Sequence, residues 1–148
     1  MSEHLLLELE TGPVKIELLA DKAPEHVARI KELADEGFYD GLTLHRVIDG
    51  FMAQMGCPIG NGTGGSGKKL KAEFNDVSHQ RGVVSMARAQ DPNSGDSQFF
   101  ICFDDASFLD GQYTAWGRVV EGMENVDSVQ FGEPPANPTK IVKFRSAA

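Results

Sequence analysis

Apolar and polar residues alternate with a period of two along several short stretches of the chain, which is typical of β-strands with one buried face. The first two stretches, residues 5–10 and 14–19, flank Thr11-Gly12-Pro13 and therefore predict an opening β-hairpin. Residues 42–55 supply two more strands around the Asp49-Gly50 turn. The remaining strands are predicted at residues 82–87, 98–103, 114–120 and 139–145.

Helical periodicity is confined to two segments. Between Pro24 and Gly37, apolar residues recur at every third or fourth position, with a proline suited to the first turn and a glycine suited to the end. This pattern predicts an amphipathic helix of about three turns. A second, shorter helix is predicted to begin at Met123 and to end near Gly132.

The order of these elements favours a mainly β protein. The strands follow one another mainly in antiparallel succession, without the strand–helix alternation of a doubly wound fold. We expect a closed antiparallel eight-stranded β-barrel capped by two α-helices, because closure hides the sheet edges. The chain has 148 residues, enough for one proper core, so residues 1–148 are expected to form a single domain.

The formal net charge of -8 argues against partners such as nucleic acid or anionic membrane surfaces. The chain contains no apolar run of about 18 residues, so no membrane-spanning helix is expected. Its first residues, MSEHLLLELE, lack the basic region and cleavage site of a signal peptide. Cys57 and Cys102 are therefore expected to be free thiols in the reducing cytoplasm.

One arginine lies in an unusual place. In the stretch 44–56, LHRVIDGFMAQMG, strand alternation puts Arg46 on the same face as apolar neighbours. A guanidinium is costly to bury without partners, so Arg46 either extends to water, pairs with an acid, or serves a ligand site. The neighbouring strand supplies Gln54 beside Phe51 and Met52. Apolar side chains with a few directed donors are the usual composition of a ligand pocket.

The parts needed for covalent, acid–base or metal catalysis are absent from the sequence pattern. The four histidines are scattered, and no two have the spacing of metal ligands. The glycine-rich loop 56–68 resembles a phosphate-binding loop, but Lys69 stands where that motif needs Ser or Thr. We therefore expect neither a metal nor another cofactor.

The chain resembles the cyclophilins, the family of peptidyl-prolyl cis–trans isomerases, in its short prokaryotic form. The resemblance is carried by four motifs in order: LHRVIDGFMAQMG (44–56), GNGTGG (60–65), GVVSMARA (82–89) and DSQFFICFDDASFLDG (96–111). The first and last are highly specific. With the flanking strands, they cover nearly the whole chain and imply a cyclophilin-like barrel.

The resemblance also implies roles for individual residues. Arg46 matches the catalytic arginine, and Gln54 and Gln98 match polar groups that hold the substrate backbone and position that arginine. The walls of the proline pocket are matched by Phe51, Met52, Phe100 and Leu109. The edge that pairs with the peptide is matched by Ala87, Arg88 and Ala89, and Gly62 matches the rim of a second pocket.

Three positions depart from the commoner eukaryotic pattern of this family. Phe108 replaces a tryptophan, Tyr113 replaces a histidine, and Arg88 stands where many relatives have asparagine. The first two changes keep aromatic side chains in the walls of the pocket, so the isomerase activity that the resemblance implies is expected to be retained. The lost indole N–H removes a donor, which implies only weak binding of cyclosporin-type cyclic peptides.

The resemblance implies an enzyme that accelerates rotation about X-Pro bonds in unfolded or folded protein clients, assisting folding as a monomer without cofactors. An alternative on the same barrel is a non-catalytic proline-peptide-binding or chaperone module. A small-ligand carrier is disfavoured, because a barrel of this size is filled by its own side chains.

Overall fold

The computed structural model describes residues 3–60 and 62–147, and begins with the predicted hairpin. Strand β1 (Glu3–Leu9) pairs antiparallel with β2 (Gly12–Leu18) across the predicted turn. The other strands are β3 (Arg46–Ile48), β4 (Met52–Met55), β5 (Val83–Met86), β6 (Phe99–Cys102), β7 (Ala115–Glu121) and β8 (Ile141–Ala147). All eight predicted strands are therefore present, although β3 is shorter than its sequence pattern suggests.

Helix α1 (Pro24–Asp35) forms where it was predicted. Pro24 lies in its first turn, and Gly37, just beyond its end, has a φ of 83° that favours glycine. Its apolar face packs against β8. Helix α2 (Met123–Asp127) is shorter than predicted. The prediction extended it too far because Val129 keeps the helical apolar spacing, although it is buried beyond the helix end. A short 3-10 helix, Ser107–Leu109, was not predicted.

The strands form one curled antiparallel sheet in the order β3-β4-β6-β5-β7-β2-β1-β8. The prediction is confirmed in the eight antiparallel strands and two helices, but not in the closure of the barrel. Within residues 3–60 and 62–147, no ladder joins β3 to β8. Two isolated bridges lie near this gap: Thr43–Lys140, next to the start of β8, and Val47–Gly132, between β3 and the loop before β8. Three prolines between residues 134 and 138 remove backbone donors from the segment that faces β3.

Two apolar clusters lie on opposite faces of the sheet. In β4 and β6, Ala53, Met55, Phe99 and Ile101 belong to the main core, which the inner face of the sheet and α1 enclose. The alternate residues Met52, Phe100 and Cys102 belong to a second cluster on the outer face, with Leu109. The site described below is built on this outer cluster.

The inside of the curled sheet is filled by aromatic and aliphatic side chains, as expected for so few strands. Tyr39, Phe99, Trp116 and Phe144 are fully buried and make edge-on or tilted ring contacts at centroid distances of 5.3–5.8 Å. This packing supports the argument against a small-ligand carrier. No helix in the described ranges has both the length and the apolar character to cross a membrane.

Candidate active site

A row of three residues crosses the outer face of the sheet. Arg46 on β3 lies opposite Gln54 on β4, and Gln54 lies opposite Phe100 on β6. Residues paired across antiparallel strands point to the same face, so the ladder itself brings these three side chains together. The period-two alternation had predicted that Arg46 shares a face with apolar neighbours, which holds for Ile48 at the outer cluster but not for Leu44, which lies in the main core.

A small pocket of about 110 Å³ opens at this row. It is lined by Arg46, Phe51, Met52, Gln54, Ala87, Arg88, Phe100, Leu109 and Tyr113. The lining comes from β3, the β3–β4 turn, β4, the segment after β5, β6, the 3-10 helix and the segment between that helix and β7. Nine of the thirteen predicted site residues therefore surround one cavity, in which polar groups of two arginines, a glutamine and a tyrosine face aromatic and aliphatic side chains.

The floor of the pocket is held in place by buried polar contacts. Phe100 packs edge-on against Tyr113 at 5.9 Å and stacks on His79 at 6.3 Å between ring centroids. The ring nitrogens of His79 lie 2.9 Å from Asp110 Oδ1 and 2.9 Å from Ser85 Oγ. Backbone and side-chain hydrogen bonds from His79 lower the pKa of Asp110. Because Ser85 and His79 are fully buried beneath Phe100, this arrangement supports the floor and cannot act as an exposed nucleophile.

Arg46 is half-exposed and has two side-chain partners. Its Nε donates to Glu133 Oε1 at 3.0 Å, and its Nη1 lies 3.4 Å from Gln54 Oε1. Among residues 3–60 and 62–147, Nη2 has no hydrogen-bond partner. The arginine thus does pair with an acid, as one alternative held, but through Nε alone and while still lining the pocket.

The two predicted glutamines connect Arg46 to the glycine-rich loop. Gln54 Nε2 donates to Gln98 Oε1 at 2.9 Å, and Gln98 Nε2 donates to the carbonyls of Gly62 and Gly64, each at 2.9 Å. This chain of donors orients the Gln54 carbonyl toward the guanidinium. The assignment of amide oxygen and nitrogen follows from the hydrogen-bond network.

A second cavity of about 300 Å³ adjoins the first and shares Gln54, Ala87 and Arg88 with it. Its lining also contains the predicted residues Gly62, Ala89 and Gln98. Sequence analysis did not identify several of its other walls, namely Thr63, Gly64, Gly65, Lys69, Ser94 and Asp96.

Arg88 lines both cavities and is held by several contacts. Its guanidinium carbon lies 4.4 Å from the centroid of the Tyr113 ring, a cation–π contact. Its nitrogens donate to the carbonyls of Gln112, Ala89 and Gln90 at 2.8–3.3 Å. Arg88 and Tyr113, two of the three departures from the eukaryotic pattern, therefore form one unit.

Phe108 is the one predicted site residue that lines neither of these two cavities. It lies on the rim, 66 % exposed, with its ring centroid 5.6 Å from that of Phe51.

Two buried titratable groups near the site, Cys102 and His45, are unsuited to thiol or acid–base chemistry. Burial raises the pKa of the Cys102 thiol to about 12, so it stays protonated. Burial lowers the pKa of His45, which therefore stays neutral near neutral pH. Throughout the described part of the chain, no three His, Cys, Asp or Glu side chains converge as metal ligands.

The most important residue that sequence analysis missed is Glu133. It lies in the loop 132–138, far from Arg46 along the chain, and no local pattern marks it. The two backbone hydrogen bonds between Val47 and Gly132 bring it beside Arg46. Only this bridge between distant segments indicates that Glu133 belongs to the site, and it is visible only in the tertiary structure.

Known proteins are similar to this chain in sequence and in fold. The family described as "Cyclophilin type peptidyl-prolyl cis-trans isomerase/CLD" matches residues 4–146. A probable peptidyl-prolyl cis-trans isomerase of Brucella suis biovar 1 is 49 % identical over 156 residues, covering 94 % of this chain and 80 % of that protein. Peptidyl-prolyl cis-trans isomerase B of Bacillus subtilis is 44 % identical over 132 residues, covering 88 % of this chain and 91 % of that protein.

The fold comparison agrees with the sequence comparisons. A crystal structure of the Cryptosporidium parvum cyclophilin type peptidyl-prolyl cis-trans isomerase, determined in the presence of the dipeptide Ala-Pro, superposes with a TM-score of 0.91. The two are 27 % identical, and the match covers 98 % of this chain and 99 % of that one. With the family match over nearly its whole length, the chain belongs to the cyclophilin-type peptidyl-prolyl cis-trans isomerases.

Proposed function

We propose that Arg46 is the catalytic group of this isomerase and that the 110 Å³ pocket beside it holds the substrate proline. The observation that supports this assignment is the cross-strand row of Arg46, Gln54 and Phe100, which sets a guanidinium beside a small pocket with aromatic and aliphatic walls. The roles of the individual residues below are part of the same proposal.

The reaction needs no nucleophile, because no covalent bond forms or breaks. Rotation about an X-Pro bond has a barrier of roughly 18–20 kcal/mol, because amide resonance must be broken. Shortening an exchange that takes tens to hundreds of seconds to about a millisecond requires removing roughly 7 kcal/mol of that barrier.

Arg46 supplies a donor that discriminates between the ground state and the transition state. When the amide twists, the proline nitrogen becomes pyramidal and gains a lone pair that neither planar isomer has. A donor directed at that position binds the twisted form selectively, which is the differential binding that catalysis requires. In a preorganised site one such donor contributes about 2–4 kcal/mol.

The other residues hold one side of the bond still. Phe51, Met52, Phe100, Leu109 and Tyr113 would enclose the pyrrolidine ring. Gln54 and the backbone at residues 87–89 would fix the peptide on that side, so that the opposite carbonyl turns. The apolar walls favour the twisted amide, which is less polar than the planar one. The Ala-Pro dipeptide present with the Cryptosporidium parvum cyclophilin supports proline-containing peptides as substrates.

The test is Arg46→Ala, assayed for X-Pro isomerisation. We expect kcat/KM to fall by roughly 30-fold or more, the factor that corresponds to the lower end of the contribution above. The fold should be intact, because Arg46 is exposed. Arg118→Ala is a matched control, since Arg118 is also an exposed strand arginine paired with a glutamate. Full activity in Arg46→Ala would remove Arg46 from the mechanism.

The alternative, a non-catalytic proline-peptide-binding or chaperone module, is distinguished by NMR exchange on an Ala-Pro peptide. Binding without faster cis–trans exchange would favour the module. An apolar pocket alone would serve a binder, and the guanidinium beside it favours the enzyme.

The broader expectations also remain proposals. They are that the substrates are unfolded and folded protein clients, that cyclosporin-type peptides bind weakly, and that the chain acts as a cytoplasmic monomer. We further propose that the two isolated bridges between the sheet ends hold the curled sheet closed as a barrel.

A further inference from the structure

Arg46 lies between two concave surfaces. One is the proline pocket, and the other is an outer groove lined by His45, Arg46, Gln54, Gly60, Gly62, Glu133 and Pro134. Glu133 belongs to the groove and does not line the proline pocket. Its carboxylate therefore approaches Arg46 from the side away from the reaction.

The contact with Glu133 uses only the Nε group of the guanidinium. Glu133 Oε1 accepts from Nε at 3.0 Å, whereas Nη1 lies near Gln54 and Nη2 has no partner in the described ranges. A carboxylate that instead bound both Nη groups would withdraw them from the pocket. Here the ion pair holds the arginine by Nε and leaves the edge formed by Nη1 and Nη2 (the Nη edge) available.

Arg46 needs such a second contact. Its side chain is 46 % exposed, and its hydrogen bond to Gln54 is long at 3.4 Å. An arginine held by one weak contact would sample many rotamers, and ordering it has an entropic cost. With the Nε–Glu133 contact added, the guanidinium is held on two of its sides.

The position of Glu133 is itself fixed by the backbone. Val47 N donates to Gly132 O at 2.8 Å, and Gly132 N donates to Val47 O at 2.9 Å. This bridge places the residue after Gly132 beside the residue before Val47. The exposed ion pair is not a major source of stability, because Glu133 is 56 % exposed and such pairs contribute little.

We infer that Glu133 is a positioning residue for catalysis, which holds Arg46 by Nε so that its Nη edge faces the proline nitrogen. This inference rests on the proposed role of Arg46. It assigns to Glu133 an effect on the transition state, with little effect on substrate binding or on folding.

The first experiment measures kcat and KM for Glu133→Ala, Glu133→Gln and the control Asp127→Asn. Asp127 forms an exposed ion pair with Arg81, with comparable exposure, and lines neither cavity of the site. We expect Glu133→Ala to lower kcat by roughly three- to tenfold at unchanged KM and unchanged thermal midpoint, the effect of one lost hydrogen bond. Glu133→Gln keeps an acceptor oxygen and should retain more activity than Glu133→Ala, while Asp127→Asn should match the wild type.

The second experiment is a double-mutant cycle with Arg46→Ala. If Glu133 acts through Arg46, Glu133→Ala should have no further effect on the residual activity of Arg46→Ala. The inference would be overturned if Glu133→Ala lowered activity by the same factor in the wild type and in Arg46→Ala. It would also be overturned if Glu133→Ala alone left kcat unchanged. Full activity in Arg46→Ala itself would instead overturn the proposed function, so the two failures are distinguishable.

Discussion

At the scale of single residues, Phe108 lies on the rim of the candidate site and lines neither of its two cavities. It stands outside the proline pocket, 66 % exposed and packed on Phe51. A phenylalanine at this position provides an aromatic rim but lacks the N–H donor that a tryptophan would have.

Phe108→Trp is therefore expected to strengthen the binding of a cyclosporin-type cyclic peptide by about fivefold, the value of one ordinary hydrogen bond. Isothermal titration calorimetry measures the affinity, and the isomerisation assay provides the control, since kcat/KM should change by less than about twofold. Unchanged affinity would show that the missing donor does not limit binding.

The direction of a side chain within a strand could be predicted from the sequence, whereas a contact between distant segments could not. Period-two alternation placed Arg46 beside apolar residues because side-chain direction in a strand is a local property. The Arg46–Glu133 pair spans 87 positions and depends on the Val47–Gly132 bridge, so no local pattern could predict it.

At the scale of elements, the end of β4 must pass very close to the segment before β6. Gly56 has a φ of 99°, and a Cβ there would lie 2.5 Å from the carbonyl oxygen of Ser97 and 3.1 Å from Gln98 Cα. Ser97 Oγ also donates to Gly56 O at 2.7 Å. The close approach lies next to Gln98, whose side chain accepts a hydrogen bond from Gln54 at 2.9 Å.

We expect Gly56→Ala to lower the free energy of unfolding by about 1–3 kcal/mol more than Gly50→Ala, because overpacking is added to backbone strain. Gly50 is a matched control, since its φ of 74° is also positive but a Cβ there would meet nothing within 4 Å. Urea denaturation of both variants measures the difference. Equal losses would mean that the β4 junction can relax around a methyl group.

At the scale of the whole molecule, a buried histidine joins helix α1 to the loop that precedes β5. His26 is 1 % exposed, and Glu73 accepts hydrogen bonds from its backbone N at 2.8 Å and its Nδ1 at 2.6 Å. Burial lowers the pKa of His26 below 6.5, outweighing the hydrogen bond to Glu73, which raises it.

Since the folded pKa of His26 is lower than the unfolded one, the unfolded chain binds the proton more readily. Stability is therefore complete above the unfolded pKa of 6.5 and is lost as the pH falls toward the folded value. His45, whose pKa burial also lowers, acts in the same direction.

We expect the free energy of unfolding to decrease between about pH 7.5 and pH 5, and to decrease less in His26→Asn. Asparagine can still donate to Glu73 but does not titrate, so the variant removes the protonation step alone. Denaturant titrations at both pH values measure the slope. An identical slope in the variant would assign the pH dependence to other groups.

The sequence by itself determined the number and order of the strands, helix α1, and the face of each strand that carries the candidate site. These depend on local periodicity, on turns and on helix ends, which neighbouring residues encode. The resemblance of four motifs to one family supplied the identities of the pocket residues, which periodicity alone would have assigned to the core.

Only the tertiary structure decided how the sheet ends meet, where α2 ends, and which groups surround Arg46. The prolines between residues 134 and 138 offer no backbone N–H for a β3–β8 ladder, and the Val47–Gly132 bridge brings Glu133 to the arginine. Such contacts form between segments that are distant in the chain, so local sequence patterns do not predict them.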